Sequence, residues 1–191
     1  MKRQVALAGA GAVLFIVSPA FGITPPRHAV DFASAPRVPG EFASVVHSSR
    51  GHPLSRPITL TAVPRRVATV PWGGQRTAIV VAPIHGGGFC LAVAGAYGGS
   101  SCGWPKHSRT NLSYEVSGDA SGPIALSGYF FDPRASRLAI IFGDSTRELV
   151  PIVWVNRPIN AGFFAVRLAA LHRHTGYRPQ ILDCSQATVA R

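Results

Sequence analysis

Residues 138–168 read L-A-I-I-F-G-D-S-T-R-E-L-V-P-I-V-W-V-N-R-P-I-N-A-G-F-F-A-V-R-L. Three apolar runs, rich in β-branched and aromatic residues, are separated by short segments of Gly, Asp, Asn and Pro. Each run is too short for a core helix, and the separating residues are those that tight turns require. Both faces of the first run, residues 138–142, are apolar, which predicts a strand in the interior of a sandwich. The stretch therefore predicts an all-β fold.

The same pattern extends outward from this stretch. Strand-like runs recur at spacings of roughly ten residues from residue 58 to the end of the chain. Turns are predicted at Gly73-Gly74 and at Gly86-Gly87, between runs that read as neighbouring strands. The 20 Gly and 16 Pro also favour short strands over long helices. We therefore predict a single β-sandwich, immunoglobulin-like or related, of about 8–10 short strands over residues 58–191.

Residues 1–22 have the layout of an export signal. Lys2 and Arg3 precede an apolar run at residues 5–17, and small residues follow at 18–22. This order predicts a cleaved signal peptide, although about twenty largely apolar residues also suffice for a membrane anchor helix. Under both alternatives the rest of the chain is extracytoplasmic, either secreted or anchored by its N-terminal segment.

Residues 23–57 are predicted to be a proline-rich linker. Six prolines lie in this segment, with Ser and Gly between them and no sustained periodicity. Because proline restricts its own backbone and that of the preceding residue, we expect a semi-extended, loosely attached arm. One short edge strand at residues 42–46 is the most structure expected there.

The chain is strongly basic, with 19 Lys and Arg against 8 Asp and Glu and a formal net charge of +11. Such a surface attracts polyanions or an anionic membrane. The arginines are scattered rather than interleaved with aromatic residues, unlike a platform for single-stranded nucleic acid. We therefore expect an anionic polymer of the cell envelope, a membrane surface or an unidentified protein as partner, and no nucleic acid. The alternative is that the charge serves solubility alone. Four of the arginines lie in the linker: Arg27, Arg37, Arg50 and Arg56.

Cys90 and Cys102 bracket a glycine-rich loop and are predicted to form a disulfide. An exported chain meets an oxidising compartment, and the glycines let the loop bring the two residues within bridging distance. A loop of this length would stabilise the fold by roughly 3 kcal/mol in the chain-entropy model. Two reduced thiols are the alternative. The third cysteine, Cys184, is expected to be a buried, unpaired thiol.

Two serines lie in segments that resemble hydrolase motifs. Ser101 lies in G-S-S-C-G at residues 99–103, which satisfies the nucleophile-elbow pattern, and H-G-G-G-F at residues 85–89 resembles an oxyanion-hole segment. The two motifs are barely a dozen residues apart, and a glycine-rich hairpin loop explains both. Ser145 follows I-I-F-G-D, which resembles the nucleophile block of the GDSL hydrolases. In that family a D-x-x-H pair follows far downstream, but here Asp183 is the one later Asp and no histidine lies beyond His174, so the pattern provides Ser145 with no paired base and acid.

The remaining candidates for chemistry are histidines. His172 and His174 lie close together, but no Cys, Asp or Glu stands beside them at metal-ligand spacing. We predict no catalytic residue, no metal site and no cofactor.

A G-G-F-C…S-S-C-G loop and a late V-W-V-N-R-P-I-N-A-G-F-F-A-V segment accompany the export signal. In this combination the chain resembles uncharacterised exported proteins of high-GC bacteria, which have a single β-domain behind a signal or anchor. The resemblance covers residues 58–191 and implies no activity. It rests on Gly87, Cys90, Cys102, Trp154, Pro158, Gly162 and Phe163.

These patterns lead to one functional hypothesis and one alternative. The hypothesis is a non-catalytic, extracytoplasmic binding or interaction module of the cell envelope, because a β-scaffold with many loops carries no assembled catalytic set. The alternative is a secreted serine hydrolase that uses Ser101 or Ser145.

Overall fold

The structure is a computed structural model that describes residues 29–51, 56–105, 112–120, 122–170, 176–183 and 188–190. The predicted signal peptide or anchor at residues 1–22 lies outside these ranges. Within them the chain forms thirteen strands and one helix. In chain order the elements are β1 (Ala29–Val30), α1 (Ala43–Gly51), β2 (Arg65–Trp72), β3 (Gln75–Ile84), β4 (Gly88–Val93), β5 (Ser100–Gly103), β6 (Leu112–Asp119), β7 (Gly122–Phe130), β8 (Ala135–Phe142), β9 (Arg147–Pro151), β10 (Val153–Val155), β11 (Ala161–Arg167), β12 (Tyr177–Asp183) and β13 (Thr188–Ala190).

The strands form three sheets. The central sheet has the order β1-β10-β11-β7-β6, the outer sheet β13-β12-β8-β9, and the helix-side sheet β2-β3-β4-β5. Neighbouring strands are antiparallel except β1 and β10, which are parallel. The helix-side sheet is a meander whose first two turns lie at Gly73-Gly74 and Gly86-Gly87. The first turn has two residues and the second has three, and all four of these glycines have positive φ, which glycine adopts without steric cost.

The middle of the central sheet is buried on both of its faces. Along β11, Phe163 and Ala165 pack against the helix-side sheet, whereas Phe164 and Val166 pack against the outer sheet. Successive side chains of a strand point to opposite faces, so an uninterrupted apolar run is what such a strand needs. The three sheets are therefore stacked as layers, with one apolar core on each side of the central sheet.

Helix α1 covers the remaining face of the helix-side sheet. Phe42, at the start of the helix, is fully buried and packs with Val80, Ala82 and Cys90 in a third apolar cluster. Phe32 belongs to the core between the central and helix-side sheets. These contacts differ from the loosely attached arm expected at residues 23–57. Residues 29–51 bury large apolar side chains, and this burial fixes a segment that proline content alone would leave extended.

The prediction of an all-β sandwich is confirmed. The described strands outnumber the 8–10 expected, because several short segments pair at sheet edges. The third sheet is a feature that the sequence pattern does not predict. Periodicity shows whether a strand is apolar on one face or on both, but it does not identify the layer that lies against each face.

Candidate functional site

A surface cleft with a volume of about 540 Å³ lies beside α1. We call it the helix-side cleft. One wall is the helix, and the opposite wall is formed by β5 and the residues that follow it. Its lining residues are Ser44, Val45, Ser48, Ser49, Arg56, Ile58, Cys102 and Trp104.

Helix α1 presents hydroxyl groups along the wall of this cleft. Ser44 and Ser48 are four residues apart and so share one face of the helix. The Ser48 hydroxyl donates to the Ser44 carbonyl over 2.9 Å. Ser49 has a structural role, since its hydroxyl donates to the Val46 carbonyl (2.8 Å) and accepts from the Ile58 amide (3.0 Å). Ser44 and Ser48 are exposed, so their hydroxyls border the cleft on its solvent side.

A stacked arginine and tryptophan form the other end of the cleft. The guanidinium carbon of Arg56 lies 4.6 Å from the centre of the Trp104 ring, which is a cation–π contact. The Trp104 indole N–H donates to the His85 carbonyl over 2.6 Å, and this bond fixes the ring. Gly86, in the same turn, leaves room for the pair, because a Cβ there would lie 2.8 Å from Arg56 Nη2.

The Arg56 guanidinium is a cation without a described acidic partner. Between residues that the structure describes, the ion pair present is that of Arg134 with Asp132, at 2.8 Å. Arg56 lies on the exposed surface of the cleft and uses one face of its guanidinium for Trp104. Its N–H groups are suited to a carboxylate or phosphate, which a guanidinium can bind through two parallel hydrogen bonds. The cleft therefore combines a positioned cation, hydroxyl groups and an apolar floor.

The predicted disulfide is present and forms part of this cleft. Cys90 on β4 and Cys102 on β5 lie opposite each other in the ladder, with their Cα atoms 4.0 Å apart. Cys90 is fully buried in the apolar cluster under α1, whereas Cys102 is half-buried and lines the cleft. The bridge holds β5 against the sheet and so fixes the wall that carries Trp104. Cys184 lies outside the described residues.

The two serines of the hydrolase alternative lie in different surroundings. Ser101 is on β5 and pairs with Leu91, so its segment is an extended edge strand and not the strand-to-helix turn of a nucleophile elbow. Ser145 lies in the turn between β8 and β9, with φ of 66° and its amide donating to the Phe142 carbonyl over 3.0 Å. Within the described ranges, neither hydroxyl is hydrogen-bonded to an imidazole. Of the histidines that could serve either serine as a base, His85 is described and exposed, whereas His107 and His172 lie outside those ranges.

Among the residues that the structure describes, no three His, Cys, Asp or Glu side chains come together as a metal site would require. His172 and His174 are not among the described residues. None of the helices in the described part of the chain is both long enough and apolar enough to span a bilayer.

The helix-side cleft is not apparent from the sequence pattern. Arg56 is one of four arginines in the predicted linker, and no sequence motif marks Trp104. The available signal is the S-x-x-x-S spacing of Ser44 and Ser48, which predicts a shared face only if residues 43–51 are helical. Packing of α1 on the sheet is what brings residues 44–58 to residues 102–104.

No protein-family model, curated protein or solved structure matches this chain. Its function therefore has to be inferred from the chemistry of its own residues.

Proposed function

We propose that this protein is a non-catalytic binding module of the cell envelope that works outside the cytoplasm. Its ligand is an anionic, hydroxyl-bearing polymer, and the helix-side cleft holds one segment of it. The observation that carries the proposal is the Arg56 guanidinium, held 4.6 Å over the Trp104 ring beside the helix serines and without a described carboxylate partner.

The lining of the cleft supports this class of ligand. Arg56 would pair with a carboxylate or phosphate of the polymer. The hydroxyls of Ser44 and Ser48 would exchange hydrogen bonds with polymer hydroxyls, and Val45 and Ile58 would contact its carbon skeleton. A small number of placed polar groups over an apolar floor is the usual composition of a binding site.

The whole chain supports an anionic partner and an extracytoplasmic location. A net charge of +11 raises the local concentration of polyanions and accelerates their association. The Cys90–Cys102 bridge is compatible with an oxidising compartment outside the cytoplasm. The export signal expected at residues 1–22 would take the chain there, as in the exported proteins that it resembles.

The test measures binding of the full-length chain to a uronic-acid polymer, polygalacturonate, with neutral dextran as the comparison. We expect polygalacturonate binding that declines with added salt, because exposed charges are screened beyond roughly 10 Å at 0.1 M. Replacing Arg56→Gln should weaken binding about fivefold, the upper range for one exposed ion pair. Arg66→Gln is the matched control, since Arg66 is also exposed and lies outside the cleft.

Two results would contradict the proposal. If dextran binds as well as polygalacturonate, charge does not select the ligand. If Arg56→Gln and Arg66→Gln weaken binding equally, attraction is spread over the whole surface and the cleft has no special part in it. Both variants should keep the wild-type unfolding midpoint, because both side chains are exposed.

A further inference from the structure

A second groove runs along β11, where the three sheets meet. One half, of about 330 Å³, lies between β2 and the chain from Pro151 to Val153. The other half, of about 250 Å³, lies between the end of β2 and β9. Pro71 and Pro151 line both halves, so the two cavities adjoin, and we call them together the seam groove. Its floor is made by alternate residues of β11: Phe163, Ala165 and Arg167.

The first half of the seam groove is apolar. Val70, Ile79, Val153 and Phe163 are buried core residues whose side chains also line this half. Among the described residues that line this half, Thr69 alone is polar. An apolar cavity of this kind holds water poorly and favours an apolar occupant.

The second half ends at a cation. Arg167 is half-buried, and its guanidinium carbon lies 5.7 Å from the centre of the Tyr97 ring. It forms no ion pair with any carboxylate that the structure describes. Glu148 lines the same half and would oppose the entry of an anion. The groove is therefore apolar at one end and charged at the other.

The walls disfavour an extended peptide as occupant. A peptide that adds a strand to a sheet edge needs backbone donors along that edge. Pro71 and Pro151 have no N–H, and both lie where the two halves of the seam groove adjoin. An alkyl chain needs no such donors.

We propose that the seam groove binds a free fatty acid, with its alkyl chain over Phe163 and its carboxylate at Arg167. The charge of Arg167 selects the head group, and the side chains around Phe163 select the tail. Phe163 and Arg167 are four residues apart on one strand, so the floor is roughly 13 Å long between them. This length suits a chain such as decanoate or dodecanoate. The site is separate from the helix-side cleft and does not depend on the function proposed for it.

The test titrates dodecanoate, below its micelle concentration, into the lipid-stripped full-length chain in a calorimeter. We expect saturable binding of one equivalent. From octanoate to decanoate, affinity should rise by about fourfold per methylene, the equivalent of about 0.8 kcal/mol for each buried CH₂. Dodecanol, which lacks the negative charge, should bind more weakly than dodecanoate.

Paired variants separate the head-group site from the tail site. Arg167→Gln should weaken dodecanoate about tenfold and leave dodecanol unchanged. Arg137→Gln is the matched control, because Arg137 is also half-buried on a strand but lies outside the groove. Ala68→Trp, which fills the apolar half, should weaken both ligands. Glu148→Gln should strengthen dodecanoate by removing a nearby negative charge.

Three results would overturn the proposal. The first is that a chain which unfolds cooperatively does not bind dodecanoate. The second is that Arg167→Gln and Arg137→Gln weaken dodecanoate binding equally. The third is that Ala68→Trp does not alter dodecanoate binding. The unfolding midpoint of each ligand-free variant is measured first. If Arg167→Gln does not fold, Arg167→Lys, which keeps the charge, takes its place and should retain dodecanoate binding with reduced affinity.

Discussion

Gly162 lies on β11 directly opposite Phe130 of β7. A Cβ at this position would overlap the Phe130 ring, which is fully buried between the central and outer sheets. We expect Gly162→Ala to lower the free energy of unfolding by about 1–3 kcal/mol, the usual cost of overpacking a core. Urea unfolding followed by circular dichroism measures the change.

The control for this substitution is Gly103→Ala on β5. No heavy atom lies within 4 Å of a Cβ built at Gly103. Its effect should stay within about 0.5 kcal/mol, as for substitutions away from packed sites. If Gly162→Ala lowered the free energy of unfolding no more than Gly103→Ala does, the Phe130 ring would move aside without an energetic penalty.

Tyr177 on β12 is the residue through which pH should act on stability. Burial raises the pKa of its phenol above the ordinary 10.0, and the nearby Tyr114 raises this pKa further. The folded chain thus holds the Tyr177 proton more tightly than the unfolded chain does. This stabilisation is complete below the unfolded pKa and is lost as pH rises above it, because only the unfolded state then ionises readily.

We therefore expect Tyr177→Phe to lessen the fall in the free energy of unfolding at alkaline pH. At neutral pH the substitution should change this free energy little. Urea unfolding on either side of pH 10.0 measures this difference. Tyr97→Phe is the control, since Tyr97 is exposed. A separate check is ultraviolet titration of the folded protein, in which Tyr114→Phe should lower the pKa of Tyr177. The explanation fails if Tyr177→Phe leaves the alkaline slope unaltered.

At the scale of elements, α1 and the segment before it belong to the folded domain. Phe42 is fully buried against the helix-side sheet. Phe42→Ala should therefore cost about 3–5 kcal/mol of unfolding free energy, the range for removing a buried aromatic ring. His47→Ala, on the exposed side of the same helix, should cost little. Differential scanning calorimetry distinguishes this outcome from that of a loose linker, for which both substitutions would be neutral.

Helix α1 also shows why this part of the fold could not be predicted from the sequence. Val45 and Val46 are β-branched and the nearby serines are weak helix formers, so residues 42–46 favour an edge strand by propensity. A helix of nine residues is marginal by itself and owes its stability to tertiary packing. Conversely, residues 58–63 have good strand composition, yet Leu60 makes an isolated bridge to Ile84. Packing against residues distant in the sequence determines the secondary structure of both segments.

The features that the sequence does predict are local. The turns at Gly73-Gly74 and Gly86-Gly87 require positive φ, and glycine adopts it at no steric cost. The bridge between Cys90 and Cys102 closes a short loop between adjacent strands. The helix-side cleft and the seam groove each combine residues distant in the chain. Arg56 meets Trp104 only after α1 has packed on the sheet, and Pro71 and Pro151 come to line one groove only after the layers have stacked.

At the scale of the whole molecule, each of the three tryptophans reports on a different apolar cluster. Trp72 belongs to the core between the central and helix-side sheets, Trp154 packs on the core between the central and outer sheets, and Trp104 packs on the cluster under α1. Alternate residues of β11 contribute to the first two cores. We therefore expect one cooperative transition, since neither core can melt while the central sheet stays intact.

The measurement uses three variants that each keep one tryptophan and carry Phe at the other two positions. Their fluorescence should change at one common urea midpoint after correction for each variant's own stability by circular dichroism. If the corrected urea midpoint reported by Trp154 were lower than that reported by Trp72, the outer sheet would unfold independently.

The parallel pairing of β1 with β10 has a consequence for the rate at which the chain folds. Ala29 lies opposite Trp154 and Val30 opposite Val155, so the central sheet joins the beginning of the described chain to its last third. In a polypeptide that emerges N-terminus first, the residues of β1 cannot pair until β10 and β11 have also emerged. Because loop-closure entropy is lost before such distant contacts form, folding should take milliseconds to seconds rather than microseconds. During that delay the apolar side chains around Phe32 lack the central sheet that covers them in the folded chain, and they are the surface that a holding chaperone would recognise.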